Sequence, residues 1–296
     1  MMDRKLKEKV IRRTFLLTAS TSILVLALIM VFLFMEGLPI FHEYPPLKFL
    51  FGHEWYPTSD PPDFGIFPLL VGSVLVTVAS SALAIPLGVM TAIYLAEIAR
   101  PRVRGYVKPV VELLAALPSV VIGFFGMVLF APFLQDVFDI PTGLNLFNAA
   151  VMLAFMSVPT ICSISEDAIF SVPKELKEAS LALGATHWET IQRVILPASL
   201  SGISTAVILG MSRAIGETMV VLMVAGGAAM VPGSLFSPVR PMPASIAAEM
   251  AEAPFRGDHY YALFATGIVL FLFTMAFNIV ADTIANKHKQ VGAATL

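Results

Sequence analysis

The chain has 296 residues, of which 57% are hydrophobic and 14% charged, with a mean hydropathy of +0.82, values that exclude a soluble globular domain. The formal net charge of -2 says little, because in a membrane protein the placement of charge matters more than its sum. A single cysteine, Cys162, excludes an internal disulfide or a CxxC site.

About 20 apolar residues cross the roughly 30 Å of hydrocarbon in a bilayer, so the length leaves room for several helical spans with short loops. Residues 1–13 form a basic tail carrying Arg4, Lys5, Lys7, Lys9, Arg12 and Arg13, and the apolar run at 14–35 is expected as a retained first span: it is too long for a signal peptide and lacks a small-x-small cleavage site. The loop 36–65 holds six prolines and is expected to lack regular structure. A second span covers 66–98, kinked or broken at Pro86, with Ser80, Ala84, Gly88, Ala92 and Ala96 four apart in a stripe that lets another helix approach closely. After a basic connection the third span is expected at 110–134 and the fourth at 144–164.

The polar stretch 171–197 then interrupts the apolar pattern. Ser171 and Pro173 signal a helix start, and Gly184 is free to take the left-handed conformation that ends this first helix. Thr186 with Glu189 three residues later is a capping box, so a second helix begins at once, with Trp188, Ile191, Val194 and Ile195 on one apolar face and Pro197 closing it. Such a helix suits a groove on a soluble partner, and equally a surface position on its own bundle or on lipid headgroups. A fifth span follows at 200–230 and a sixth at 260–285, with a short tail at 286–296. With both termini and the hairpin inside, fifteen of the nineteen Lys and Arg fall in cytoplasmic segments and three in outer loops, as the positive-inside rule requires.

The remaining cation, Arg213, and Glu217 lie within the fifth span. Each costs on the order of 3 kcal/mol at a bilayer centre, so they are expected to face the bundle interior or a water-filled path, four apart on one helix face and able to pair. Unpaired, they mark a pathway, and the planar fork of Arg213 matches two oxygens of an oxyanion. Glu112 is expected at the headgroup boundary as a structural residue. The five histidines have no metal-ligand spacing, and no phosphate-binding GxxxxGK[ST] loop or GxSxG elbow is present, so neither ATP hydrolysis nor another catalytic activity is expected of this chain.

Glu178-Ala179-Ser180, three residues, Gly184, nine residues, then Val194-Ile195-Leu196-Pro197 resembles the EAA loop of ABC importer permeases, in which this loop is the coupling helix that docks on the ATPase. Ser180 and Val194 depart from the family pattern conservatively. The likeness extends over most of the chain to the phosphate-specific permeases of the PstC type. It is carried by Trp55 and Pro57 with the run 64–69, by Glu112 to Val121 with Gly123, by Arg213-Ala214-Ile215-Gly216-Glu217-Thr218, and by the loop 241–264 with Ile246-Ala247-Ala248-Glu249-Met250 and His259-Tyr260. The long proline-rich outer loop favours PstC over the related PstA.

The resemblance implies an all-α permease of the type I ABC importer fold in the cytoplasmic (inner) membrane, with six spans and a cytoplasmic coupling hairpin between the fourth and fifth. It implies Arg213 and Glu217 on the substrate path or its gate, and ATPase coupling through Glu178, Ala179, Ser180, Gly184, Trp188, Ile191, Val194, Leu196 and Pro197. The implied partners are a PstA-type permease, an ATPase dimer that binds ATP and Mg, a phosphate-binding protein and membrane lipid. No cofactor is expected in this chain and no nucleic-acid partner. A permease for sulfate or molybdate, an ATPase-independent channel or carrier, and a non-transporting phosphate-sensing scaffold are the competing readings.

Overall fold

In hydrocarbon every backbone polar group must be satisfied within its own segment, so the apolar runs fold as helices. The computed structural model describes the backbone of residues 4–293 and the side chains of 7–283, and parts of the tails expected at 1–13 and 286–296 lie outside the described residues. Six helical segments among them are long and apolar enough to cross a membrane.

Helix α1 (Arg4–Gly37) is continuous and mostly exposed along its apolar length. The following loop, expected to be irregular, contains α2 (Ile40–Glu43), α3 (Pro46–Phe51) and a two-residue antiparallel ladder of β1 (Trp55–Tyr56) with β2 (Asp63–Phe64). The difference arises because Pro39, Pro45 and Pro46 occupy N-cap or first-turn positions, where a missing N–H leaves no helix bond unmade. Lys48 and Asp63 pair at 2.6 Å on the outside of this loop, and hydrogen bonds from Lys48 and then Tyr44 hold the Asp63 carboxyl below the usual range.

Helix α4 (Phe67–Ile93) continues through Pro86, where a kink or break is expected, and ends in a π-turn at Tyr94–Ile98. The third apolar run, expected as one helix over 110–134, is divided: α5 (Pro101–Ala115) is a separate amphipathic helix, and the crossing segment consists of α6 (Ser119–Phe125), a π-turn at Gly126–Phe130 and α7 (Ala131–Phe138). Pro118 drives its predecessor out of the helical region, which sets the division. Helix α8 (Leu146–Phe170) is longer than expected and begins on the Asn145 side chain, which accepts from the Asn148 backbone at 2.9 Å.

The polar hairpin consists of α9 (Lys174–Ala182) and α10 (His187–Thr190), and a π-turn at Ile191–Ile195 carries the chain directly into α11 (Leu196–Ile215). Pro197 therefore does not close the second helix. It occupies the first turn of α11, where its absent N–H is tolerated after the wider π-turn. Helices α12 (Met219–Val224), α13 (Met242–Glu249) and α14 (Asp258–Ala293) complete the chain.

The bundle centre is the crossing of α4, α8 and α11. Ile161 of α8 is fully buried there: a Cβ placed on Gly88 of α4 would stand 2.8 Å from it, and one on Gly210 of α11 would stand 2.5 Å from it. Ser80, Ala84, Gly88 and Ala92 of the small-residue stripe are all buried. Gly88→Ala is expected to destabilise the folded chain by about 1–3 kcal/mol through overpacking, whereas Val25→Ala on the exposed face of α1 leaves the thermal transition in detergent unchanged.

A second cluster closes the opposite end from the hairpin. Phe49, Ile40, Trp55, Phe64 and Ile66 of the first loop pack on Leu69, Met242 and Leu263. Glu249, at the end of α13, organises the polar part of this region. Its two carboxylate oxygens accept from Trp55 Nε1 at 3.1 and 3.0 Å, Ser245 Oγ donates at 3.1 Å, His259 Nε2 lies 2.8 Å away, and Arg240 pairs with it. Removing one member of a largely buried ion network leaves the others unpaired. Glu249→Gln is thus expected to lower stability by about 3 kcal/mol, with a clearly smaller shift for Asp63→Asn in the exposed pair, as read by thermal unfolding in detergent.

Candidate translocation site and coupling hairpin

The fifth apolar segment is broken where its charges lie. Helix α11 stops at Ile215, Gly216 and Glu217 leave the helix, and α12 restarts at Met219. Glu217 Oε1 accepts from the backbone N–H groups of Met219 and Val220 at 3.2 and 3.3 Å, capping the new helix as an acidic side chain at a helix N-terminus does. The expectation of one helix over 200–230, with Arg213 and Glu217 on a shared face and able to pair, is corrected: among the described residues no ion pair joins them. The backbone donors freed by the break compete for the carboxylate, and they win because they lie within three residues of it. Beyond α12, Gly226 and Gly227 take positive φ and the chain folds back, with Val239 N–H donating to Ala225 O at 2.8 Å.

Arg213 turns instead toward α8, where Nη1 donates to Thr160 Oγ1 at 3.3 Å. Thr160 follows Pro159, and both Arg213 and Thr160 are half-buried. A guanidinium carries five N–H donors in a fixed fork, and no carboxylate among the described residues occupies them. The site therefore offers positive charge and oriented donors inside a membrane segment.

The hairpin forms as its local signals predict. Gly184 has φ of 86° past the end of α9, and the Thr186–Glu189 capping box is complete. Ser180 and Thr190 hydroxyls lie 3.0 Å apart, closing α9 on the second helix, while Lys177 pairs with the mostly buried Glu97 in the π-turn that ends α4. The apolar face expected on the second helix is shared between two surroundings. Ile191 and Ile195 are buried against Ala92, Leu95, Cys162 and Ile169, and Val194 and Leu196 are half-buried. Trp188 lies up to two turns further out, past the end of the bundle, and is 57% exposed. Leu183 at the tip is 90% exposed, and Glu178, Ala179, Gly184 and Pro197 are exposed as well.

A buried carboxylate that the sequence reading passed over lies at the base of this hairpin. Glu166 of α8 is 1% exposed, with Arg104 Nη2 at 2.6 Å from Oε1 and Lys108 Nζ at 2.7 Å from Oε2. The Arg104 contact is close but misaligned, so Oε1 accepts no formal hydrogen bond. Lys108 also reaches Asp167 at 2.9 Å, and the Glu166 carboxylate, with Asp167 behind it, holds the lysine ammonium above its ordinary range against the opposing pull of burial. The run Ser165-Glu166-Asp167 just past an apolar stretch was the available signal, but its cationic partners lie some sixty residues away. Glu112, expected at the headgroup boundary, is exposed in the last turns of α5.

Residues 84–290 match the family described as binding-protein-dependent transport system inner membrane component. The chain is 36% identical over 291 residues to the probable ABC transporter permease protein YqgH of Bacillus subtilis, covering 97% of this chain and 94% of that one. It is 36% identical over 247 residues to the phosphate transport system permease protein PstC of Mesorhizobium japonicum, covering 77% and 74%, and 35% identical over 246 residues to PstC of Pasteurella multocida, covering 77% and 76%. Among solved structures, it superposes on a chain of the bacterial ABC transporter that imports alginate with a TM-score of 0.65 at 14% identity, covering 96% of this chain and 99% of that one. A chain of the inward-facing MetNI methionine transporter gives 0.59 at 20%, covering 73% and 93%. At such identities these two support the fold alone, that of type I ABC importer permeases. The chain belongs to the binding-protein-dependent transport system inner membrane component family and is a multi-pass, PstC-type permease subunit of an ABC importer.

Proposed function

We propose that this subunit translocates inorganic phosphate across the cytoplasmic membrane by alternating access, in a heterodimer with a PstA-type permease. An ATPase dimer that binds ATP and Mg drives the cycle, a phosphate-binding protein delivers the anion from outside, and both termini and the hairpin face the cytoplasm. The observation that carries this reading is Arg213: an intramembrane guanidinium bonded to Thr160 and to no carboxylate among the described residues. A half-buried intramembrane cation that meets no carboxylate among the described residues is matched to an anion that visits. The planar fork suits two oxygens of a tetrahedral phosphate, and PstC relatives named for phosphate transport support that substrate over other oxyanions. Glu217 then serves the gate by fixing where α12 begins, rather than by meeting the anion.

The hairpin is the coupling element in this reading. Its buried Ile191 and Ile195 root it in the bundle, while Leu183 and Trp188 offer an apolar tip to a groove on the ATPase. ATP-driven closure of the ATPase dimer moves that tip, and the two permeases rock about the path that Arg213 lines.

Uptake of labelled phosphate into vesicles holding the assembled complex tests the substrate site. Arg213→Gln is expected to reduce uptake about ten-fold or more, the scale of one lost charged hydrogen bond, with assembly and basal ATP hydrolysis retained. Glu217→Gln, whose amide oxygen still accepts from the α12 backbone, is expected to fall much less. Wild-type uptake competed by sulfate as well as by unlabelled phosphate would replace phosphate with a broader oxyanion class. For the hairpin, Leu183→Asp is expected to weaken ATPase association about ten-fold in detergent pull-downs without lowering the thermal stability of the permease, because its side chain touches little of its own chain.

A further inference from the structure

The Glu166 cluster is connected mechanically in two directions. Towards the hairpin, α8 ends four residues past Glu166, and only 171–173 separate it from α9, which Lys177 fastens to Glu97 at the end of α4. Towards the membrane, Arg104 and Lys108 belong to α5, whose Val107 and Val111 pack with the same apolar cluster as Ile191 and Ile195. Helix α5 passes into α6 through a joint of three residues, 116–118, held by turn bonds from Ala116 N–H to Leu113 O at 3.1 Å and Leu117 N–H to Leu114 O at 3.3 Å. Helix α6 then packs directly on α12: a Cβ on Gly123 would stand 2.8 Å from Met223 and 3.4 Å from Val220. Helix α12 is the half-helix whose start Glu217 caps, four residues past Arg213.

We propose that Glu166 is a positioning residue for coupling, the grip by which displacement of the hairpin is passed through α5 and α6 to the half-helix α12 beside Arg213. This rests on the reading of the hairpin as the ATPase-coupled element. A carboxylate this deeply buried cannot release its two cations without leaving uncompensated charge, so α5 and the end of α8 move as one body. Helix α12 is the other end of the lever, since its tight contact with α6 transmits rotation that loosely packed side chains would absorb. The alternative is a static ion pair that only secures α5, and the two roles differ in whether α12 responds to nucleotide.

The test uses the assembled complex with Met219→Cys, at an exposed position in the first turn of α12, as reporter, and measures the rate of maleimide reaction with and without ATP plus vanadate. In the otherwise wild-type complex the rate is expected to change at least about five-fold, the low end of coupling between distant sites, and in Glu166→Gln and Arg104→Gln to change less than about two-fold with basal ATP hydrolysis retained. Glu166→Asp is expected to restore part of the response. An unaltered nucleotide response in both neutralised variants overturns the proposal, and so does an α12 that never responds in the wild-type complex. Should Glu166→Gln fail to assemble, Arg104→Gln, at the partly exposed partner, decides alone. The reporter does not depend on the substrate, so a wild-type complex that responds to nucleotide but imports no phosphate counts against the phosphate reading and leaves the inference about Glu166 standing.

Discussion

The fold depends on one close approach, the seating of Ile161 between Gly88 and Gly210. Lipid tails are as apolar as leucine, so helices in a membrane gain nothing from hiding apolar surface from one another, and association rests on contact packing. Where two backbones carry no Cβ facing the crossing, a branched side chain from the third helix can fill the space completely. That makes α8 the centre of the bundle, with α4 on one side and α11 on the other, and Gly202 against Ala168 repeats the device nearer the hairpin. Asn148, at the far end of α8, anchors the third segment by donating to Gly126 O at 3.0 Å and Gly143 O at 2.9 Å. Both ends of the permease are thus referenced to a single helix.

Proline alone does not decide where the helices of this chain are interrupted. Pro86 lies within α4 at an exposed position and Pro159 within α8 at a buried one, and both helices continue. Pro118 lies at the end of an amphipathic helix whose outer face carries exposed Tyr106, Val110 and Leu113, and there the chain turns. At Gly216 no proline is needed: a flexible residue, followed by an acid able to accept from the next backbone donors, ends one helix and begins another. The backbone of the interruption is satisfied locally, with Gly216 and Glu217 N–H donating back to Ser212 O and Ala214 O, Thr218 Oγ1 donating to Gly216 O, and Glu217 accepting from Met219 and Val220, as irregular segments in membranes require.

Much of this was legible in local chemistry. The spans are visible as apolar runs, and the turn of the hairpin is fixed by Gly184 and the Thr186–Glu189 box, signals whose partners lie within three residues. The small-residue stripe on α4 was equally visible because helical spacing alone defines it. What was hidden is long-range or competitive. Trp55 meets Glu249 across 194 residues, and Lys108 meets Asp167 across 59, distances over which no periodicity speaks. The pairing of Arg213 with Glu217 failed for the second reason: spacing of four implies a shared face only while the helix persists, and the carboxylate found nearer donors. Pro197 misled in the same way, since a proline that closes one helix looks identical to one that opens the next.

The charges of the structure sort by whether the chain neutralises them. Glu249 meets Arg240 and His259 with two further donors, and Glu166 meets Arg104 and Lys108, so each is tied to its surroundings by opposite charge. Glu217 spends its acceptor on the start of α12. Arg213, in the membrane-spanning part, meets no carboxylate among the described residues, and its fork is partnered by a neutral hydroxyl. Holding a half-buried guanidinium against a threonine is costly where water is scarce, which sets Arg213 apart from Glu166 and Glu249 with their opposite charges. Full neutralisation of Arg213 by Glu217 would close the site to any visiting anion. The helix break at 216–218 prevents that pairing, because it gives the carboxylate a different occupation one turn away, and the same local rearrangement that starts α12 leaves the guanidinium to Thr160.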